Sequence, residues 1–146
     1  MSQENFSHQL PIRVYYEDTD AGGIVYYANY LKFFERARTE WLRNLGFEQD
    51  ELMEQSIGFV VKRVEMHNHA PARFNQLLSI ITELVNCKGA KLEFKQIIKG
   101  TADSGAKDGN NTIVAEADIR VVAVNLDTMK PVRIPKAILG EILRVD

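Results

Sequence analysis

Asn29-Tyr30-Leu31-Lys32-Phe33-Phe34-Glu35-Arg36-Ala37-Arg38-Thr39-Glu40-Trp41-Leu42-Arg43-Asn44-Leu45-Gly46 is the longest helical signal in the chain. Tyr30, Phe33, Phe34, Ala37, Trp41 and Leu45 recur at three- and four-residue steps and therefore share one face. Lys32, Glu35, Arg36, Glu40 and Arg43 occupy the other face, with opposite charges spaced as a water-facing flank requires. Asn29 is expected to cap the start of the helix and Gly46 to stop it. So large an aromatic stripe must be buried, and the rest of the sequence has to supply its cover.

Downstream, a short helix is expected over 49–55, and from Ile57 the hydrophobic period changes to two. The alternation is cleanest in Ile113, Ala115, Ala117, Ile119, Val121 and Ala123. Similar runs cover 58–69, 77–87 and 91–99, and an earlier strand is expected over 10–16. Ala70-Pro71-Ala72, Lys88-Gly89 and the polar stretch 100–111 punctuate them, the last as a hairpin tip. The connections are too short for helical crossovers, so successive strands should pair as antiparallel hairpins. Five strands of about ten residues each exceed the usual length and have one large apolar partner, the aromatic helix. The expectation is an α+β fold with a curved antiparallel sheet of about five strands wrapped around a long central helix. Residues 135–143 should add a last short helix with Pro135 at its first position.

The 146 residues, 45% hydrophobic and 26% charged, are enough for one core, and one domain over 1–146 is expected. A formal net charge of −2 argues against a general nucleic-acid binder. The single cysteine, Cys87, can form no internal disulfide and fits a reducing, cytoplasmic setting. Neither a secretory signal nor an apolar run of membrane-spanning length is visible.

Chemistry is concentrated in Tyr15-Tyr16-Glu17-Asp18-Thr19-Asp20-Ala21-Gly22-Gly23-Ile24-Val25-Tyr26-Tyr27-Ala28-Asn29-Tyr30. Crowded carboxylates disfavour joint ionisation, and one half-buried beside aromatic rings would have its pKa raised, which would tune a base or nucleophile. Gly22-Gly23 removes side chains where a ligand could approach the backbone. A helical turn starting just beyond would present unpaired N–H groups to a developing oxyanion. Acid and oxyanion donor together suggest acyl transfer or hydrolysis. Taken alone, Asp-x-Asp-x-Gly is more often a solvated turn that caps the helix. A calcium loop is the other functional reading, but Asn29 stands at its twelfth position, where a bidentate Glu is required.

Residues 16–30, continued by Phe34-Glu35-Arg36-Ala37-Arg38-Thr39-Glu40, closely resemble the signature of the YbgC-like acyl-CoA thioesterases, relatives of 4-hydroxybenzoyl-CoA thioesterase. Phe59-Val60-Val61, Ala70-Pro71-Ala72-Arg73-Phe74, Lys88-Gly89-Ala90 and Met129-Lys130-Pro131 with Ile134-Pro135 extend the match over nearly the whole chain. The resemblance implies the hot-dog fold, in agreement with the periodicity. It also implies edge-to-edge pairing into a homodimer or homotetramer with active sites between subunits. The substrate class implied is acyl-CoA, which carries the only coenzyme; no separate cofactor is implied. Acyl carrier protein, phospholipid-synthesis enzymes at the inner membrane and the Tol-Pal system are partners suggested by relatives. A non-enzymatic acyl-thioester-binding scaffold is the alternative role.

Carried over by residue, the resemblance puts the catalytic carboxylate on Asp20, as nucleophile or as base, and an N–H near Tyr27 on the thioester carbonyl. Many relatives have His where this chain has Tyr27; a backbone donor survives that change and an imidazole does not. Gly23 and Tyr26 belong to the expected substrate-binding set, and Tyr27 is expected to orient water or line the acyl pocket. Asp18 is assigned to turn geometry. Arg63, Arg73, Lys88 and Lys91 are the candidates for the coenzyme phosphates. His67 and His69 lie two apart on a strand and face one side, yet no third ligand is evident, so no metal is expected. Cys87 is read as a small apolar strand residue.

Overall fold

The computed structural model describes residues 7–101 and 112–144. The hairpin tip expected over 100–111 falls almost wholly outside the described residues. Five strands, β1 (Ser7–Arg13), β2 (Ile57–Asn68), β3 (Leu77–Lys88), β4 (Lys91–Gly100) and β5 (Ile113–Asn125), form one sheet in the order β1-β3-β4-β5-β2. Every neighbouring pair is antiparallel. Three helices complete the fold, α1 (Tyr30–Asn44), α2 (Gln49–Glu54) and α3 (Lys136–Arg144). This is the hot-dog arrangement in the α+β class, with the long helix held in the curve of the sheet.

The reason lies in complementary faces. Helix α1 buries Tyr30, Phe33, Phe34, Ala37, Trp41 and Leu42, and the sheet answers with Leu78, Ile80, Leu92, Phe94, Ile98, Ala115, Ala117, Ile119 and Val121. The backbone of α1 runs closest to β1 and β3, and its large aromatic side chains fill the space towards the rest of the sheet. Trp41 meets Phe94 edge to face at 5.0 Å. Gln96 and Thr82 are polar and fully buried in this layer: the Gln96 amide donates to the Phe34 carbonyl at 3.0 Å and to Thr82 Oγ1 at 2.8 Å. Its oxygen accepts from the Arg38 guanidinium at 2.9 Å. Burial pulls that guanidinium down to about 10, against an opposing pull from Glu35.

Four local expectations change. β1 ends at Arg13, not Tyr16, because Asp18 Oδ2 accepts the Tyr15 N–H at 2.8 Å and turns the chain into a 3-10 turn over Tyr16–Asp18. Asn29 does not cap α1: its backbone is already helical, and its side-chain amide instead donates to the Asp18 carbonyl at 2.9 Å. Leu42 takes the buried place expected for Leu45, which is half-buried. β2 does not pair with its sequence neighbour β3; it crosses to the far edge and pairs with β5. Gly46 ends the helical region as expected, at φ 100°.

Candidate active site

Between β1 and α1 the chain makes a tight loop that is pinned at its neck. Thr19 and Val25 form an antiparallel bridge, the Asp20 N–H donates to the Ile24 carbonyl at 2.9 Å, and the Gly23 N–H donates to the Asp20 carbonyl at 3.0 Å. Gly23 has φ 75°, the left-handed turn that glycine enters without a Cβ penalty. Asp20 is exposed, and its Oδ1 accepts the N–H groups of Gly22 at 2.9 Å and Ile24 at 3.4 Å. No group among the described residues bonds Oδ2. The three acids have separate surroundings: Asp18 caps one turn, Asp20 closes the next, and Glu17 is exposed.

The loop is stitched to the segment that leads from β2 to β3. Val25 N–H donates to the Ala72 carbonyl at 2.8 Å, Phe74 N–H to the Gly23 carbonyl at 3.1 Å, and Ile24 bridges Arg73. The buried Tyr30 hydroxyl accepts the Ala72 N–H at 3.3 Å, and burial raises its pKa above the usual tyrosine value. Arg73 thereby lies beside Gly23 and Ile24, as part of the same loop pair.

Ahead of α1 stands a 3-10 turn over Tyr27–Asn29, preceded by Tyr26 in extended conformation at φ −65°, ψ 125°. The N–H groups of Tyr27 and Ala28 have no acceptor among the described residues. Unpaired amides at a helix start carry the positive end of its dipole. They adjoin a cleft of ≈ 300 Å³ lined by Ile24, Val25, Tyr27, Tyr30, Asn68, His69, Ala70 and Pro71. Tyr26 and Tyr27 are exposed and pack together, ring centroids 5.1 Å apart.

The remaining sites expected from sequence are not all gathered here. Arg63 lies mid-way along β2, paired with Glu65 at 2.8 Å, on a depression with Arg120 and Asp118. Lys88 and Lys91 flank the turn between β3 and β4, at the far end of the sheet, about 35 Å along a strand from the Asp20 end. One chain does not bring them to Asp20. His67 turns to Glu65 at 3.3 Å, while His69 turns to Glu116 at 2.7 Å. Among the described residues no group of three or more His, Cys, Asp or Glu is placed to hold a metal ion. His69 was not in the expected catalytic set, because its partner is 47 residues away on another strand and no spacing rule connects them.

An exposed carboxylate loop fastened at the head of a sheet-wrapped helix defines a hot-dog thioesterase framework. The thioesterase-like superfamily model matches residues 14–142, and the chain belongs to that family. It is 45% identical over 131 residues to acyl-CoA thioester hydrolase YbgC of Escherichia coli O6:H1, covering 90% of this chain and 92% of that one. It is equally 45% identical over 130 residues to acyl-CoA thioesterase YbgC of Haemophilus influenzae, covering 88% and 89%. Among solved structures, a probable thioesterase from Bartonella henselae superposes with TM-score 0.74 at 33% identity, covering 88% of this chain and 98% of that one.

Proposed function

We propose that this chain is an acyl-CoA thioesterase that hydrolyses the thioester to a free acid and coenzyme A. The observation that carries the reading is the pairing of a free Asp20 Oδ2 with unpaired amides at Tyr27 and Ala28, on either side of one pinned loop. The 45% identity to the two YbgC enzymes supports the substrate class. A thioester carbonyl resting against the Tyr27 N–H would be polarised by a donor that needs no rearrangement as charge develops. Asp20 then acts on the carbonyl carbon, as nucleophile or through water, and the thiolate leaves without needing a strong acid. Gly23 leaves room at the loop, and Tyr26 and Tyr27 border the acyl group.

In this reading the phosphates of coenzyme A are met by Arg73 near the loop and by Arg63, Lys88 and Lys91. The last two reach it from a second copy, since a single chain separates them from Asp20. A homodimer or homotetramer is therefore part of the proposal, as is a place in the cytoplasm; acyl carrier protein is a further acyl donor to include in the assay. No helix among the described residues is long and apolar enough to cross a membrane.

The deciding experiment is thiol release from a panel of acyl-CoA and acyl-carrier-protein thioesters by wild type and Asp20→Asn. Asparagine keeps an oxygen for the Gly22 and Ile24 N–H groups, so the loop should persist. Expected is a fall in turnover of about 100-fold or more with acyl-CoA binding retained. Undiminished turnover would remove Asp20 from the reaction; binding without turnover in wild type would favour an acyl-thioester-binding scaffold.

A further inference from the structure

His69 lines the same cleft as Tyr27 and Tyr30, and it is the one imidazole there. Its Nε2 lies 2.7 Å from Glu116 Oε2, the shortest side-chain contact His69 makes, with side chains 45% and 32% exposed respectively. A carboxylate can only accept, so it fixes the proton on Nε2 and leaves Nδ1 as the basic nitrogen. That is the arrangement by which a carboxylate orients an imidazole for proton transfer. Ring and backbone of His69 are both tied to β5. The His69 N–H donates to the Val114 carbonyl at 2.8 Å, which ties its backbone to β5, the strand that carries Glu116. His67, two residues earlier, bonds Glu65 on its own strand and lies outside the cleft lining. The two histidines thus differ in surroundings in a way their spacing does not reveal.

We propose that His69, oriented by Glu116, activates the hydrolytic water in the cleft at the head of α1. The inference rests on the thioesterase reading and deepens it, because it divides the labour between Asp20 and a separate base. Asp20 Oδ2 attacks the acyl carbon; the C–O bond forms, the C–S bond breaks, and sulfur leaves as the coenzyme A thiolate. Water then attacks the same acyl carbon of the resulting anhydride. Its proton passes to His69 Nδ1, and the bond to Asp20 breaks with its electron pair returning to the carboxylate. His69 gives the proton to the thiolate, so that thioester and water become acid and thiol with nothing left over. Asp20 and His69 are the catalytic residues of this scheme, and Glu116 is a positioning residue that acts through His69.

The test is rapid-mix and steady-state thiol release by the intact protein, using the acyl-CoA that wild type turns over best. His69→Gln should release a burst of one thiol per active site and then turn over about 100-fold more slowly than wild type, the scale of general-base assistance. Quenched His69→Gln should carry the acyl mass on the peptide containing Asp20. Hydroxylamine, a nucleophile that needs no base, should restore its turnover with hydroxamate as product. Glu116→Gln should lower kcat with KM within about twofold and show the same hydroxylamine rescue. Undiminished turnover in His69→Gln, or a loss without burst and without rescue, overturns the role of His69 while leaving the thioesterase reading intact. If wild type cleaves none of the thioesters, that reading fails and this scheme falls with it.

Discussion

Asp20 uses one oxygen for the fold, and the proposed reaction uses the other, so substitutions there must be read by which oxygen they remove. Tyr27 divides in the same way between backbone and ring. Tyr27→Phe keeps the N–H at the head of α1 and should hold kcat within about threefold of wild type if the ring is only a wall of the pocket. Tyr27→Pro removes the N–H together with the ring, so Tyr27→Ala, which loses the ring and keeps the N–H, is its reference: Tyr26 already has the extended geometry of a residue before proline, and the lost N–H bonds nothing among the described residues. The thermal midpoint of Tyr27→Pro should stay near that of Tyr27→Ala while its kcat falls about 100-fold below it, the effect of losing one oxyanion donor; an equal kcat would show that this amide does not meet the carbonyl. At Cys87, burial raises the thiol above its ordinary value, so less thiolate exists at pH 8 than in an unfolded chain. Alkylation by iodoacetamide should accordingly be slower in the native protein than in denaturant, and equal rates would contradict the burial.

At the scale of elements, the buried amide of Gln96 ties α1 to β3 and β4 at one position. Gln96→Leu removes the acceptor of Arg38 and the donor to Thr82 and Phe34, and should destabilise the fold by roughly 2–4 kcal/mol, measured by urea unfolding. A loss below about 0.5 kcal/mol would mean that water replaces these bonds without cost. The helix was legible in the sequence because six aromatic or apolar side chains repeat at helical steps, a local property. The position of β2 was not, since pairing with β5 joins residues about fifty to seventy positions apart and alternation gives a strand no address. Asn29 misled for a related reason: a cap depends on backbone angles as well as residue type, and here those angles are already helical. His69 was weighed in sequence only as a metal partner of His67, because Glu116, which distinguishes the two, arrives from β5.

For the whole molecule, the informative feature is what the sheet leaves uncovered. β2 is an edge strand, and its Val61 and Val64 remain 44% and 40% exposed. An edge strand of this length with exposed valines among its charges can accept a further strand. In the proposed assembly a second copy supplies it, so the mass in solution should be two or four times that of one chain. Val64→Glu should shift that mass towards a single chain and lower thiol release in parallel, as judged by light scattering and assay at the same concentrations. A variant that stays assembled and active would place the contact elsewhere.

The stitching of residues 70–76 to the Asp20 loop has a consequence for how this protein tolerates change. By periodicity alone, Ala70 to Gln76 reads as a break between two strands, although its first five residues also carry part of the family resemblance. Here its carbonyls and amides are partners of Val25, Gly23 and Tyr30. Lengthening or shortening it by one residue would displace the Asp20 loop by a full peptide unit, and amide exchange at Val25 and Phe74 should be as slow as in the body of the sheet.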